Sequence, residues 1–64
     1  MILIITCHYE DTTYILDIFR DNKMLGDSIQ ITENGDTDTL LIKGSTIPAI
    51  RLFCEKYDLK YVLN

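Results

Sequence analysis

Met1-Ile2-Leu3-Ile4-Ile5-Thr6-Cys7-His8-Tyr9 opens the chain, and the fold turns on how this stretch is read. Positions 1–5 are all apolar, and Ile2, Ile4 and Ile5 are β-branched, so their side chains fit a pleated surface better than a helix. The stretch therefore reads as a strand in the middle of a sheet. Because it is apolar at both odd and even positions, it has to be covered on both faces. One face is expected to meet the chain's own helices. The other must meet something else or stand as an apolar patch, and that second face is the main functional clue in the sequence.

Outward from this strand, Glu10-Asp11-Thr12-Thr13 places carboxylates and hydroxyls where a helix would start, with Asp11 as the expected N-cap. Tyr14, Ile15, Leu16, Ile18 and Phe19 then give the spacing of an amphipathic helix running to about residue 23, where Arg20, Lys23 and Gly26 supply stop signals. From Asp27 to Glu33, Ile29 and Ile31 alternate with Ser28, Gln30 and Thr32, the pattern of a half-buried or edge strand. Asn34-Gly35 signals a hairpin through a type I′ turn, which needs positive φ at both central residues. The return strand, about 37–43, places Leu40 and Ile42 on one face and Thr39, Leu41 and Lys43 on the other. Ser45 or Thr46 can cap a second helix that tolerates Pro48 in its first turn and runs to about residue 57. Its stripe is Ile47, Ile50, Phe53, Cys54 and Tyr57, with Arg51 and Glu55 paired on the wet side. Leu59-Lys60-Tyr61-Val62-Leu63 is a short last strand.

The order is βαββαβ. With right-handed crossovers this gives a four-stranded antiparallel sheet, with the first and third strands central and both helices on one face: a ferredoxin-like α+β sandwich. Parity then assigns the faces. Leu3, Ile5 and Cys7 are expected to join Ile29, Ile31, Leu40, Ile42, Tyr61 and Leu63 beneath the helices. The open face carries Ile2, Ile4, Leu41 and Val62, flanked by Thr6, His8, Gln30, Thr39, Lys43 and Lys60.

Length and composition bound the rest. The 64 residues make a single domain, 1–64, near the lower limit for a hydrophobic core unsupported by metal or disulfides. The net charge of -4 and the dispersed Arg20, Lys23, Lys43, Arg51, Lys56 and Lys60 argue against direct nucleic-acid binding and against a membrane-surface stripe. The apolar start is shorter than the ~20 residues of a membrane span and lacks a basic leader, so it reads as neither anchor nor signal peptide. Cys7 and Cys54 match no zinc or redox spacing, which favours reduced thiols and a cytoplasmic setting.

Cys7-His8-Tyr9-Glu10-Asp11 gathers a thiol, an imidazole, a phenol and two carboxylates at one strand-helix junction. Cys7 and His8 are adjacent on a strand and so point to opposite faces, which opposes a nucleophile-base pair. Thr6-Cys7 resembles the start of the metal-binding loop of small copper-chaperone domains, which share this element order, but Glu10 stands where their second cysteine would. Glu33, Asp36 and Asp38 lack the ligand count of a calcium loop and read as a solvated, charged turn. RNA-recognition domains of this architecture stack bases on aromatics of the central strands, where this chain has Ile2, Ile4, Thr39 and Leu41. Amino-acid-sensing domains of the same layout carry a glycine in the first strand-helix loop, and none stands there. The ten acidic residues raise the idea of a nucleic-acid mimic, but they are spread over several elements and offset by six bases.

No cofactor or metal is therefore expected. The reading is a non-enzymatic interaction module that binds a protein partner, or a second copy as a homodimer, through Ile2, Ile4, Leu41 and Val62 with Thr39 and Lys43. A chain this small and rich in Ile, Asp and Thr resembles phage or mobile-element accessory proteins that inhibit or modulate a host protein. The alternative is a small-molecule- or metal-responsive domain built on the Cys7-Asp11 corner, and an enzyme using that corner comes last.

Overall fold

Six elements follow one another in the computed structural model, which describes residues 1–24 and 28–64: β1 (Ile2–His8), α1 (Tyr9–Asp21), β2 (Ser28–Asn34), β3 (Thr37–Lys43), α2 (Ile47–Lys56) and β4 (Lys60–Leu63). They form one antiparallel sheet in the order β2-β3-β1-β4, with the two most apolar strands in the centre, and the layout is the ferredoxin-like α+β one. Gly26 as a helix stop and Asp27 as a strand start lie outside the described residues.

The register fixes the faces. Leu3 stands opposite Ile42 and Ile5 opposite Leu40, while Ile4 stands between Leu41 and Val62. Leu3, Ile5 and Leu40 are fully buried, and with Ile42, Cys7, Ile15, Phe19, Ile47, Ile50 and Cys54 they make the core. Phe19 of α1 meets Phe53 of α2 edge to face at 5.1 Å, which locks the helices together above the sheet. Tyr61, half-buried on β4, accepts from Arg51 Nε (3.4 Å) and donates to Glu55 Oε1 (2.9 Å), tying the edge strand to α2.

Several local expectations are corrected. The N-cap of α1 is His8, not Asp11: its Nδ1 accepts the Glu10 N–H at 3.2 Å, and Asp11 sits in the first turn. Asn34 belongs to β2 and pairs with Thr37, so the turn is Gly35-Asp36. Only Gly35 has positive φ (67°), which is the type II′ arrangement and not type I′. Both helices end in a left-handed residue that is not glycine. Lys23 (φ 57°) lets the Met24 N–H reach the Phe19 carbonyl, and Asp58 (φ 56°) lets the Leu59 N–H reach that of Cys54. Thr46 occupies the N-cap of α2 without a side-chain capping bond.

Four side chains leave their expected places, one of them Tyr57 of the α2 stripe, which is 51% exposed. Tyr14 is 66% exposed, and Ile31 is 46% exposed although its parity directs it toward the helices. Asp38 is no solvated turn residue. It is buried on the helix side of β3, where its Oδ2 accepts the Thr12 hydroxyl at 2.7 Å, and Thr12 Oγ1 in turn lies 3.5 Å from Cys7 Sγ. A carboxylate close to the first turn of α1 also complements the helix dipole. With the Tyr9 N–H bonded to the Asp36 carbonyl (3.0 Å), this clasp fixes the start of α1 to the β2–β3 hairpin.

Thr12→Val keeps the shape of the side chain and removes the hydroxyl that serves Asp38. The expected cost is about 1–3 kcal/mol in urea denaturation, with Thr13→Val, on the exposed side of the same turn, near zero. Equal small losses for both would mean that the clasp does not hold α1.

Candidate functional site: the open face of the sheet

The pleat of four strands leaves one face without helices. Its middle row runs Gln30, Leu41, Ile4, Val62 across the sheet, and the next row runs Thr32, Thr39, Thr6, Lys60. Lys43 stands beside Ile2 and Ser28 at one end, and His8 beside Thr37 at the other. The register thus brings Ile2, Ile4, Leu41 and Val62 side by side, with Thr39 and Lys43 directly adjoining. Ile2, Ile4, Leu41 and Thr39 are half-buried by their neighbours in the sheet, while Val62 is 54% exposed. The apolar centre is therefore partly shielded from water and most open on the β4 side.

Charge is sorted between the two sides, a feature that net charge conceals. Among the described residues no Asp or Glu stands on the open face of any strand, whereas Lys43 and Lys60 do. The strand carboxylates that exist, Glu33 and Asp38, both lie on the helix side. The count of ten acids against six bases hides this, while the parity that places Lys43 and Lys60 on the open face and positions 33 and 38 on the other carries it.

The Cys7-Asp11 corner comes apart. Cys7 is buried under α1 next to Thr12, while His8 is exposed, caps α1, lies 3.9 Å from Glu10 Oε1 and stacks against Tyr9 with ring centroids 4.6 Å apart. Thiol and imidazole point to opposite faces, as their adjacency requires. Cys54 is a second buried free thiol, and burial pushes it up to about 11, with the neighbouring Glu55 carboxylate adding to the shift. It is thus held as a neutral thiol, unsuited to nucleophilic or metal chemistry. Among the described residues no group of three His, Cys, Asp or Glu side chains converges as a metal site, and no helix is long and apolar enough to cross a membrane.

Two depressions lie on the helix side. One, of about 470 Å³, runs between α1 and β2, and a smaller one, of about 210 Å³, lies between the helices against Tyr14, Phe53 and Tyr57. Neither is legible in the sequence, because both depend on how far α1 reaches across the sheet. No known protein family, curated protein or solved structure matches this chain.

The raised Cys54 titration makes stability pH-dependent in a defined direction. The unfolded thiol titrates near about 8.5, so its contribution is full below that value and is lost as pH rises toward the folded one. Stability by denaturant titration is expected to fall between about pH 8.5 and the folded value of about 11, and less steeply in Cys54→Ala than in the parent chain. Parallel slopes would mean that the thiol is not shifted.

Proposed function

We propose that the protein is a non-enzymatic interaction module of the cytoplasm, and that its open sheet face binds another protein. The observation that carries the reading is the row of Ile4, Leu41 and Val62 in a face free of carboxylates among the described residues and edged by Lys43 and Lys60. Fully burying such side chains is worth roughly 1.5–3 kcal/mol each, of which only the part still exposed is gained on association. A partner with an apolar centre and a carboxylate rim fits both features. A second copy fits them less well, because two such faces would oppose lysines with no acid to pair them. An accessory protein acting on a host protein would use the face in this way, and two free thiols suit a reducing compartment.

Adjacent residues on β3 separate interface from core. Leu41→Lys is expected to leave circular dichroism and the urea midpoint close to the parent and to remove the proteins captured from a candidate host lysate. Leu40→Lys, which forces a charge into a position with no exposure, is expected to unfold the chain at a cost of several kcal/mol. Reversing Lys43 and Lys60 to Glu is expected to remove the same captured proteins. The reading is wrong if Leu41→Lys and the double reversal capture the same set as the parent. A mobility shift with single-stranded RNA that weakens steeply with salt would instead assign the face to nucleic acid.

A further inference from the structure

We propose that the outer edge of β2, together with the groove beneath α1, is a second docking site, which takes an extended segment carrying Lys or Arg beside apolar residues. The claim stands apart from the open face and rests on other residues.

The first observation is the edge itself. β2 spans 7 residues, Ser28–Asn34, pairs with β3 on one side, and on the other meets no backbone partner among the described residues. Edge strands are commonly guarded by proline, by extreme shortness or by charged side chains, and of these Ser28-Ile29-Gln30-Ile31-Thr32-Glu33-Asn34 has only the inward-facing Glu33, which a cationic segment would neutralise. Its free N–H and C=O groups can pair with an added strand.

The second observation is the groove alongside. α1 buries Thr12, Ile15 and Phe19 over the sheet but does not cover Ile31, leaving about 470 Å³ between helix and strand. Tyr9, Thr13 and Leu16 form the helix wall, Ile31 and Glu33 the strand wall, and Asp38 lies at the base. An added strand would send every second side chain into this space, about 7 Å apart along the chain, which matches the spacing of Ile31 and Glu33.

Charge decides the occupant. Glu33 and Asp38 are direct cross-strand partners on the same face, an opposition of like charges that is destabilising when uncompensated. No Lys, Arg or His is among the described residues that line the groove. A cationic side chain two residues from an apolar one would meet the exposed Glu33, with Asp38 behind it already bonded to Thr12, and cover Ile31 in one placement. A second copy pairing through its own β2 would bring Ile29, Ile31 and Glu33 instead, adding carboxylates and no cation.

The probe is an acetylated, amidated peptide, Thr-Val-Thr-Lys-Thr-Val-Thr, which reads the same in both directions and so serves either strand polarity. Titrated into labelled protein up to about 1 mM, it is expected to shift amide resonances of 28–34 and of the α1 residues that face the groove. Replacing its Lys by Glu, or N-methylating its internal amides, is expected to weaken binding by about tenfold or more. Ile31→Lys, at a half-exposed position that tolerates it, is expected to do the same, with circular dichroism confirming the fold. Leu41→Lys on the open face is expected to leave peptide binding unchanged, which separates this site from that one. The proposal is overturned if the peptide causes no shifts, if the shifts fall on Ile4 and Leu41, or if the Glu or N-methylated peptide binds equally well. It is also overturned if sedimentation finds a dimer that Ile31→Pro dissolves, a change that removes an N–H directed away from β3, since the edge would then belong to a second copy.

Discussion

Two helices of 13 and 10 residues can cover one face of a four-stranded sheet and no more. That geometric limit organises the molecule. The chain spends its largest apolar side chains on the covered side, where Phe19, Leu3, Ile5, Leu40, Ile42 and Ile50 are fully buried, and leaves a thinner apolar layer on the other. Even on the covered side the roof is incomplete. α1 sits over β1 and β3 and α2 over β1 and β4, and the outlying β2 receives only a helix flank, so Ile31 remains half-exposed beside a groove.

Reach, not composition, therefore distinguishes the parts that sequence reading captured from the parts it missed. Strand order, both helices and the parity of β1 and β3 follow from period-2 and period-3.6 patterns that are local and strong in this chain, as at Leu3, Ile5, Leu40 and Ile42. Ile31 carries the same pattern, yet its environment depends on where a helix twenty residues earlier happens to end laterally. Asp38 misled for a related reason. An acid three residues past a glycine in a hairpin normally faces water, and only the arrival of Thr12 from α1 makes its burial tolerable. The turn type was lost to a one-residue shift: Asn34 completes a ladder pair with Thr37, so the loop starts at Gly35. At the N-cap, His8 displaced the better-known capping residue Asp11 because β1 runs straight into α1 with no connecting residue.

Net charge is a poor guide to a molecule of this size. At -4 the chain as a whole repels polyanions, yet the face most open to partners presents lysines and hydroxyls, because strand parity sends Glu33 and Asp38 to the helix side and Lys43 and Lys60 to the other. At physiological ionic strength screening acts over about 8 Å, so a partner on one face responds mainly to that face. Opposite faces of one thin sheet can thus favour partners of opposite sign.

The pairing of β1 with β4 has a consequence for how the protein is made. Ile2 and Asn64 exchange backbone hydrogen bonds at 2.8 Å, so one edge of the most apolar strand is closed by β4, which is synthesised after the other five elements. Until residues 60–63 have left the ribosome, Ile2-Leu3-Ile4-Ile5 has an unsatisfied flank of high β-propensity, the kind of segment that templates intermolecular strands.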